Sequence, residues 1–274
     1  SNLQRQMLFD EEDVKQTLPK AVAAGRKLRQ INSSVTVEEN VVDVTKETVE
    51  SLINGVDLVV DGTDNFAVRF LLNDVCFKHG IPFVYGGAVA SRGMTAMFVP
   101  GETPCLRCLF SEGEGNGQTC DTVGVLAPVV DLVASFQVIE ALKYLVGSRE
   151  NRRNTLLTFD LWKNRFYEIA FAEPKADCPT CQKKEYPSLT KGGDDVTSLC
   201  GRETVQIHVT ASFELDEWEK RLAPAAHVTK TPFLLRVELP EGERLVLFPD
   251  GRTLVQGTED LTKAKSLYAR YIGM

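Results

Sequence analysis

The stretch Asp57-Leu58-Val59-Val60-Asp61-Gly62-Thr63-Asp64-Asn65 decides how the fold is read. Its centre, Leu58-Val59-Val60, is short and apolar without polar alternation. That is the pattern of a strand covered on both faces in a parallel sheet. An acidic turn follows, then a helix expected over residues 65–79 and closed by Gly80. A further short strand is expected over residues 82–85. Strand, polar turn, helix and strand in close succession make a βαβ unit, and in open sheets of this kind ligands gather outside the carboxyl ends of the strands. The residues at that point here are Asp61, Gly62, Thr63 and Asp64.

Outward from this stretch the same alternation continues. Residues 13–31 predict a helix, with Val14, Leu18, Val22, Leu28 and Ile31 as its apolar positions. Pro19 conflicts with one unbroken helix and marks a first helical position with a separate turn before it. Residues 35–42 predict a strand, and residues 46–54 a short helix closed by Gly55. Downstream, residues 93–99 predict a strand, 101–124 a long loop and 128–146 a buried helix. Residues 156–160 and 165–171 predict an antiparallel pair turning at Trp162-Lys163-Asn164. The fold class is α/β, a doubly wound, Rossmann-like and mostly parallel sheet with antiparallel edge strands. We expect residues 1–185 to form this domain, 186–203 a polar linker and 204–274 a small α+β domain. The last reads as a strand, a helix over 214–222, two strands about the turn Pro249-Asp250-Gly251 and a closing helix.

The chain has 274 residues, 43% of them hydrophobic and 25% charged, with a formal net charge of -7. This suits one large and one small folded domain. The negative balance, without a basic block, argues against nucleic acid as the main partner. The most apolar stretch, residues 125–146, is interrupted by Pro128, Asp131, Gln137, Glu140 and Lys143, so we expect a buried helix and no membrane span. There is no signal-peptide pattern at the start, and the seven cysteines are an odd number. Both point to reduced thiols and a cytoplasmic protein.

Four of those cysteines form two C-x-x-C pairs, Cys105/Cys108 and Cys178/Cys181, each in a proline-containing turn. Two such pairs suit a closed tetrahedral zinc site with no open position for catalysis. The competing readings are unrelated thiol pairs or a redox pair, although neither pair opens a thioredoxin-like unit. At the strand end, a carboxylate such as Asp64 suits a magnesium ion held against a triphosphate. Thr63, Asp64 or Asn65 equally suits the N-cap of the following helix. Arg5 and Lys20 suit phosphate contacts or ordinary solvated surface positions. Cys120 lies in a Gly-rich polar loop, where a thiol is either reactive or inert, and the neighbouring Asp121 carboxylate would disfavour its thiolate.

The order of these pieces is specific. Ser1-Asn2-Leu3-Gln4-Arg5-Gln6, then Pro19-Lys20, then Thr63-Asp64-Asn65 at a strand end come first. Cys105-x-x-Cys108, Cys120 shortly before Gly124-Val125-Leu126-Ala127-Pro128, a long helix and Cys178-x-x-Cys181 follow. Over residues 1 to about 185 this resembles the ThiF/MoeB/HesA family, bacterial relatives of ubiquitin-activating enzymes. The tail beyond residue 200 resembles the extension of some ThiF proteins. The resemblance implies ATP-dependent adenylylation of the C-terminal glycine of a ubiquitin-like sulfur-carrier protein, of ThiS type (thiamine thiazole) or MoaD type (molybdopterin). It implies that Arg5 and Lys20 contact the ATP phosphates, that Asn2, Gln6 and Asn65 shape the same site, and that Asp64 holds Mg²⁺. Cys120 matches a thiol that in some relatives joins the carrier covalently, Zn²⁺ on the four cysteines is structural, and a homodimer is expected.

One departure stands out. The family's first strand, its G-x-G-x-x-G turn and the acidic residue after its second strand are missing from residues 1–274, which start inside a motif without an initiator Met. We therefore expect the chain as it stands to lack its first βαβ unit and to bind ATP poorly. Two other readings stay open. A nicotinamide-dependent dehydrogenase on the same fold class would need the missing glycine fingerprint, and His79, His208 and His227 lie outside any candidate site. A zinc-stabilised, non-enzymatic module that docks a β-grasp partner needs neither.

Overall fold

The computed structural model describes residues 2–111, 123–190, 196–199, 203–209 and 212–273. The chain divides into two compact units, Ser1–Val42 with Gly193–Met274, and Asp43–Gly192.

The unit Asp43–Gly192 is built on a five-stranded sheet in the order β1-β2-β3-β4-β5: β1 (Val59–Val60), β2 (Phe83–Val89), β3 (Arg92–Phe98), β4 (Thr155–Asp160) and β5 (Arg165–Ala170). Short helix α3 (Val49–Leu52) precedes it, α4 (Phe66–His79) links β1 to β2, and α5 (Leu106–Leu109) and α6 (Ala127–Leu145) lie between β3 and β4. A further turn of helix, α7 (Pro187–Thr190), closes the unit. β1 and β2 pair in parallel, Val59 opposite Phe83, across the α4 crossover. The next three pairs are antiparallel. The α/β layering expected from the sequence is present, and among the described strands the antiparallel part reaches from β2 to β5. Its cause is local: β2 and β3 are joined by the tight turn at Ala90-Ser91, which only an antiparallel pair permits.

Side-chain alternation along β2 splits the core between the two faces. Phe83 and Tyr85 join Phe70, Leu71 and Val75 of α4, whereas Val84 joins Met97, Val99 and Ala141 of α6. Helices thus cover both faces, the condition under which a short strand reads as an unbroken apolar run. α4 starts at its N-cap Asn65, whose side chain accepts the Ala67 N–H, and ends at Gly80 with φ of 71°. That left-handed conformation suits glycine.

In the other unit, α1 (Glu11–Lys15) and α2 (Lys20–Ile31) replace the single helix considered for residues 13–31. Pro19 divides the segment, but as the N-cap of α2, one residue before the first helical position expected for it, and the separate turn expected before it includes the short helix α1. Asp10 and Asp13 form a capping box on α1, and Lys27 of α2 bonds both carboxylates, at 2.7 and 2.5 Å. The strand expected over residues 35–42 is not formed, which corrects the sequence reading. Its alternation is real, but a strand exists only through a paired neighbour, and these residues make no ladder.

The C-terminal part is a six-stranded antiparallel sheet in the order β6-β7-β11-β10-β9-β8: β6 (Val196–Leu199), β7 (Thr204–His208), β8 (His227–Lys230), β9 (Leu235–Glu238), β10 (Arg244–Leu247) and β11 (Arg252–Gln256). Helices α8 (Leu215–Leu222) and α9 (Leu261–Tyr271) supply Leu222, Ala264, Leu267 and Tyr268 to one core with Val205, Val237, Leu245 and Val255. The turn at Pro249-Asp250-Gly251 joins β10 to β11 as expected. β6 and α7 fall within the stretch whose polarity suggested a linker, and β8 and β9 were not foreseen.

Candidate functional site

The strand-end loop after β1 rests on a buried ion pair. Asp61 is 2% exposed, and its Oδ2 accepts Nε of Arg69 at 2.8 Å. The same guanidinium donates through Nη2 to the Thr63 carbonyl at 2.5 Å and to the Gly86 carbonyl at 2.7 Å. Asp61 Oδ1 accepts both the backbone N–H and the hydroxyl of Thr63, at 2.8 and 2.7 Å. From the other face, the Gln137 amide donates to the carbonyls of Asp61 and Val84 at 2.8 and 3.1 Å. Gly86 makes room for that amide, since a Cβ there would stand 2.5 Å from the Gln137 side chain. The loop is therefore held from α4, β2 and α6 together. Asp61 is occupied in holding it, and Asp64 is exposed. Asn65 spends its side-chain oxygen on the Ala67 N–H at 2.7 Å, the capping role weighed from the sequence.

The N-terminal candidates form a local cluster of their own. The Asn2 carbonyl accepts the N–H groups of Arg5 and Gln6 at 3.1 and 3.0 Å, and the Asn2 side chain accepts Arg5 Nη2 at 2.8 Å. The 3₁₀ turn Asn2–Gln4 thus orients the Arg5 guanidinium. Lys20 is the first residue of α2, a helix of 12 residues, where the helix dipole favours an anion. These residues belong to one unit, and Asp64 and Asn65 to the other. Cys120 lies outside the described residues.

The two C-x-x-C pairs come together as the sequence led us to expect. The sulfurs of Cys105, Cys108, Cys178 and Cys181 all lie within 4.8 Å of one another, with Cys105–Cys178 and Cys108–Cys181 at 3.5 Å. A tetrahedral zinc with bonds of about 2.3 Å would separate its sulfurs by about 3.8 Å, so the donor set fits. Burial, helped by the neighbouring thiols, pushes the Cys105 thiol up, and Cys181 is pushed up to about 12. Cys178 is lowered. Burial acts against that, but hydrogen bonds from the Cys181 N–H and the surrounding thiols outweigh it. Four thiols so close resist joint ionisation, a conflict that a dication would remove.

Arg69, Gln137, Asp74, Arg107 and Thr180 were not singled out from the sequence. The available signal was a charge or amide inside an apolar run: Arg69 follows Val68 and precedes Phe70, and Gln137 lies mid-way along the most apolar helix. Arg107 and Thr180 each sit inside a C-x-x-C pair.

The model of the ThiF family matches residues 1–180. The chain belongs to the ThiF family. Among its ThiF-like relatives, "Sulfur carrier protein ThiS adenylyltransferase" of Bacillus subtilis is 45% identical over 278 residues, covering 100% of this chain and 82% of that protein. "Sulfur carrier protein adenylyltransferase" of Thermus thermophilus is 36% identical, covering 66% of this chain and 68% of that protein. Of solved structures, Escherichia coli MccB with ATP superposes with a TM-score of 0.56 at 22% identity, over 66% of this chain and 54% of that one. At that identity the likeness concerns the fold.

Proposed function

We propose that this ThiF-family chain is an adenylyltransferase that activates the C-terminal glycine of a ubiquitin-like sulfur-carrier protein, of the ThiS type. The observation that carries this is the 45% identity, across the whole chain, to an enzyme named for adenylylating ThiS. In the reaction a carboxylate oxygen of the carrier attacks the α-phosphorus of ATP. The bond from that phosphorus to the bridging oxygen breaks, and pyrophosphate leaves with the electron pair. A sulfur donor then displaces AMP to leave a thiocarboxylate. No covalent help from the enzyme is needed at the first step, so positioning and charge neutralisation carry the rate.

In this reading Arg5, oriented by Asn2, and Lys20, at the start of α2, offset the charge that builds on the departing pyrophosphate. Gln6 lines the same site. Asp64 would hold Mg²⁺, which supplies further charge neutralisation on the phosphates. Asn65 acts indirectly, by starting α4 at the right residue beneath the loop. Zn²⁺ on Cys105, Cys108, Cys178 and Cys181 is structural. Cys120 remains a candidate for a covalent link to the carrier.

ATP–pyrophosphate exchange tests the assignment. We expect exchange with a ThiS-type carrier well above that with a MoaD-type carrier, and a fall of about 10²-fold on Arg5→Ala or Lys20→Ala, the usual cost of losing one such donor. Exchange with the MoaD type alone would move the enzyme to molybdopterin synthesis.

We also propose a homodimer through α6. Val138, Leu142 and Leu145 form a stripe at helical spacing, 50–56% exposed, with Ile139 and Val146 beside it. A contiguous apolar patch of this kind marks a contact surface. Light scattering should give a dimer, and Leu142→Asp should give a monomer. A monomeric wild type would remove the proposal.

A further inference from the structure

Helix α4 holds a buried carboxylate that the chemistry above does not use. Asp74 is fully buried, and five donors converge on its two oxygens. Arg107 gives Nε to Oδ1 and Nη2 to Oδ2, each at 2.8 Å. The Thr180 hydroxyl reaches Oδ1 at 2.6 Å and the Asn73 amide at 3.2 Å, and the Ser188 N–H reaches Oδ2 at 2.8 Å. Arg107 stands between Cys105 and Cys108, and Thr180 between Cys178 and Cys181. One carboxylate thus grips the middle of both cysteine turns, whose paired sulfurs are 73 residues apart in the chain. Asn73 adds another tie, its Oδ1 accepting the Leu106 N–H at 2.8 Å. The Arg107 guanidinium also lies 4.8 Å from the Phe70 ring centroid, so it is fixed by α4 on a second side.

A buried ion pair is a poor device for stability alone, because desolvation offsets much of its attraction. It is a good device for fixing a direction, because a bidentate arginine–carboxylate pair tolerates little rotation. We infer that Asp74 is a positioning residue for the metal site, fastening both C-x-x-C turns to α4. The four sulfurs then stand at binding distance before an ion arrives, and neither turn can swing away from a bound ion without breaking its bond to Asp74. The inference rests on the zinc reading given above and goes beyond it in assigning what holds the ligands.

The test is the rate at which zinc passes from the folded protein to a chromophoric chelator in excess. Thr180→Val keeps the side-chain shape, all four cysteines and the Arg107 pair, and removes only the hydroxyl bond to Asp74. It should release zinc about 10–100-fold faster, the affinity usually lost with an outer-sphere partner being lost here through faster release. Thr180→Ser retains a hydroxyl and should return most of the slow release. Asp74→Asn should release at least as fast as Thr180→Val. If it does not fold, the two threonine variants carry the test. The cobalt-substituted spectrum of Thr180→Val should stay that of a four-thiolate site. A wild type holding about one zinc, with Thr180→Val releasing it at the wild-type rate, overturns the latch, even if that variant melts earlier. A wild type holding no zinc overturns the metal reading instead, and the latch with it.

Discussion

Removing the Arg69 guanidinium would leave the Asp61 carboxylate buried under the strand-end loop with no cation beside it. Breaking one side of a buried pair typically costs about 3–5 kcal/mol, whereas replacing both partners costs far less. We therefore expect Arg69→Met to lower stability by about that amount in urea unfolding. Asp61→Asn combined with Arg69→Met should recover part of the loss. If Arg69→Met costs no more than a surface change, the pair is not what holds the loop. Cys76 offers a contrast at the same scale. Its thiol is fully buried on α4, and burial pushes it up to about 12. The thiolate, which is the reactive form, is then about 10⁻⁴ of the population at pH 8. Iodoacetamide at pH 8 should leave Cys76 unmodified in the folded protein and modify it in urea, as read by peptide mass spectrometry. Rapid labelling of native Cys76 would contradict its placement.

At the scale of elements, α4 joins the two sites: its N-cap loop carries Asp61 and Asp64, and its middle carries Asp74. Asn65→Ala should cost about 1 kcal/mol, the usual value of a side-chain N-cap, measured by urea unfolding. An unchanged midpoint would mean that the loop and not the cap sets the start of α4. The end of α4 at Gly80 was legible in the sequence, and its start was narrowed to a cap at Thr63, Asp64 or Asn65, of which the structure uses Asn65, because capping side chains and left-handed glycine act locally. Pro19 was legible for the same reason. The strand over residues 35–42 was misjudged because alternation shows only that a segment suits a sheet, and pairing depends on a partner elsewhere. β6, β8 and β9 escaped notice because each has only four residues, several of them polar. The four cysteines could be grouped by spacing alone, since a metal site needs particular residue types. Asp74, Arg107 and Thr180 could not, because nothing in a sequence says which buried acid meets which buried donor.

For the whole molecule, the family, the α/β layers and the adenylyltransferase chemistry agree with one another. No helix among the described residues is long and apolar enough to cross a membrane. What residues 1–274 do not contain is a G-x-G-x-x-G turn after a strand, the element that would meet the phosphates. The most direct measurement of the central claim is ATP–pyrophosphate exchange with a ThiS-type carrier, intact or lacking its terminal glycine. It should be run on this chain and on the same chain preceded by a Gly-rich βαβ unit of the family. We expect exchange that needs the terminal glycine, strong with the added unit and weak without it. No exchange in either form with the intact carrier, or equal exchange with the shortened one, would contradict glycine adenylylation.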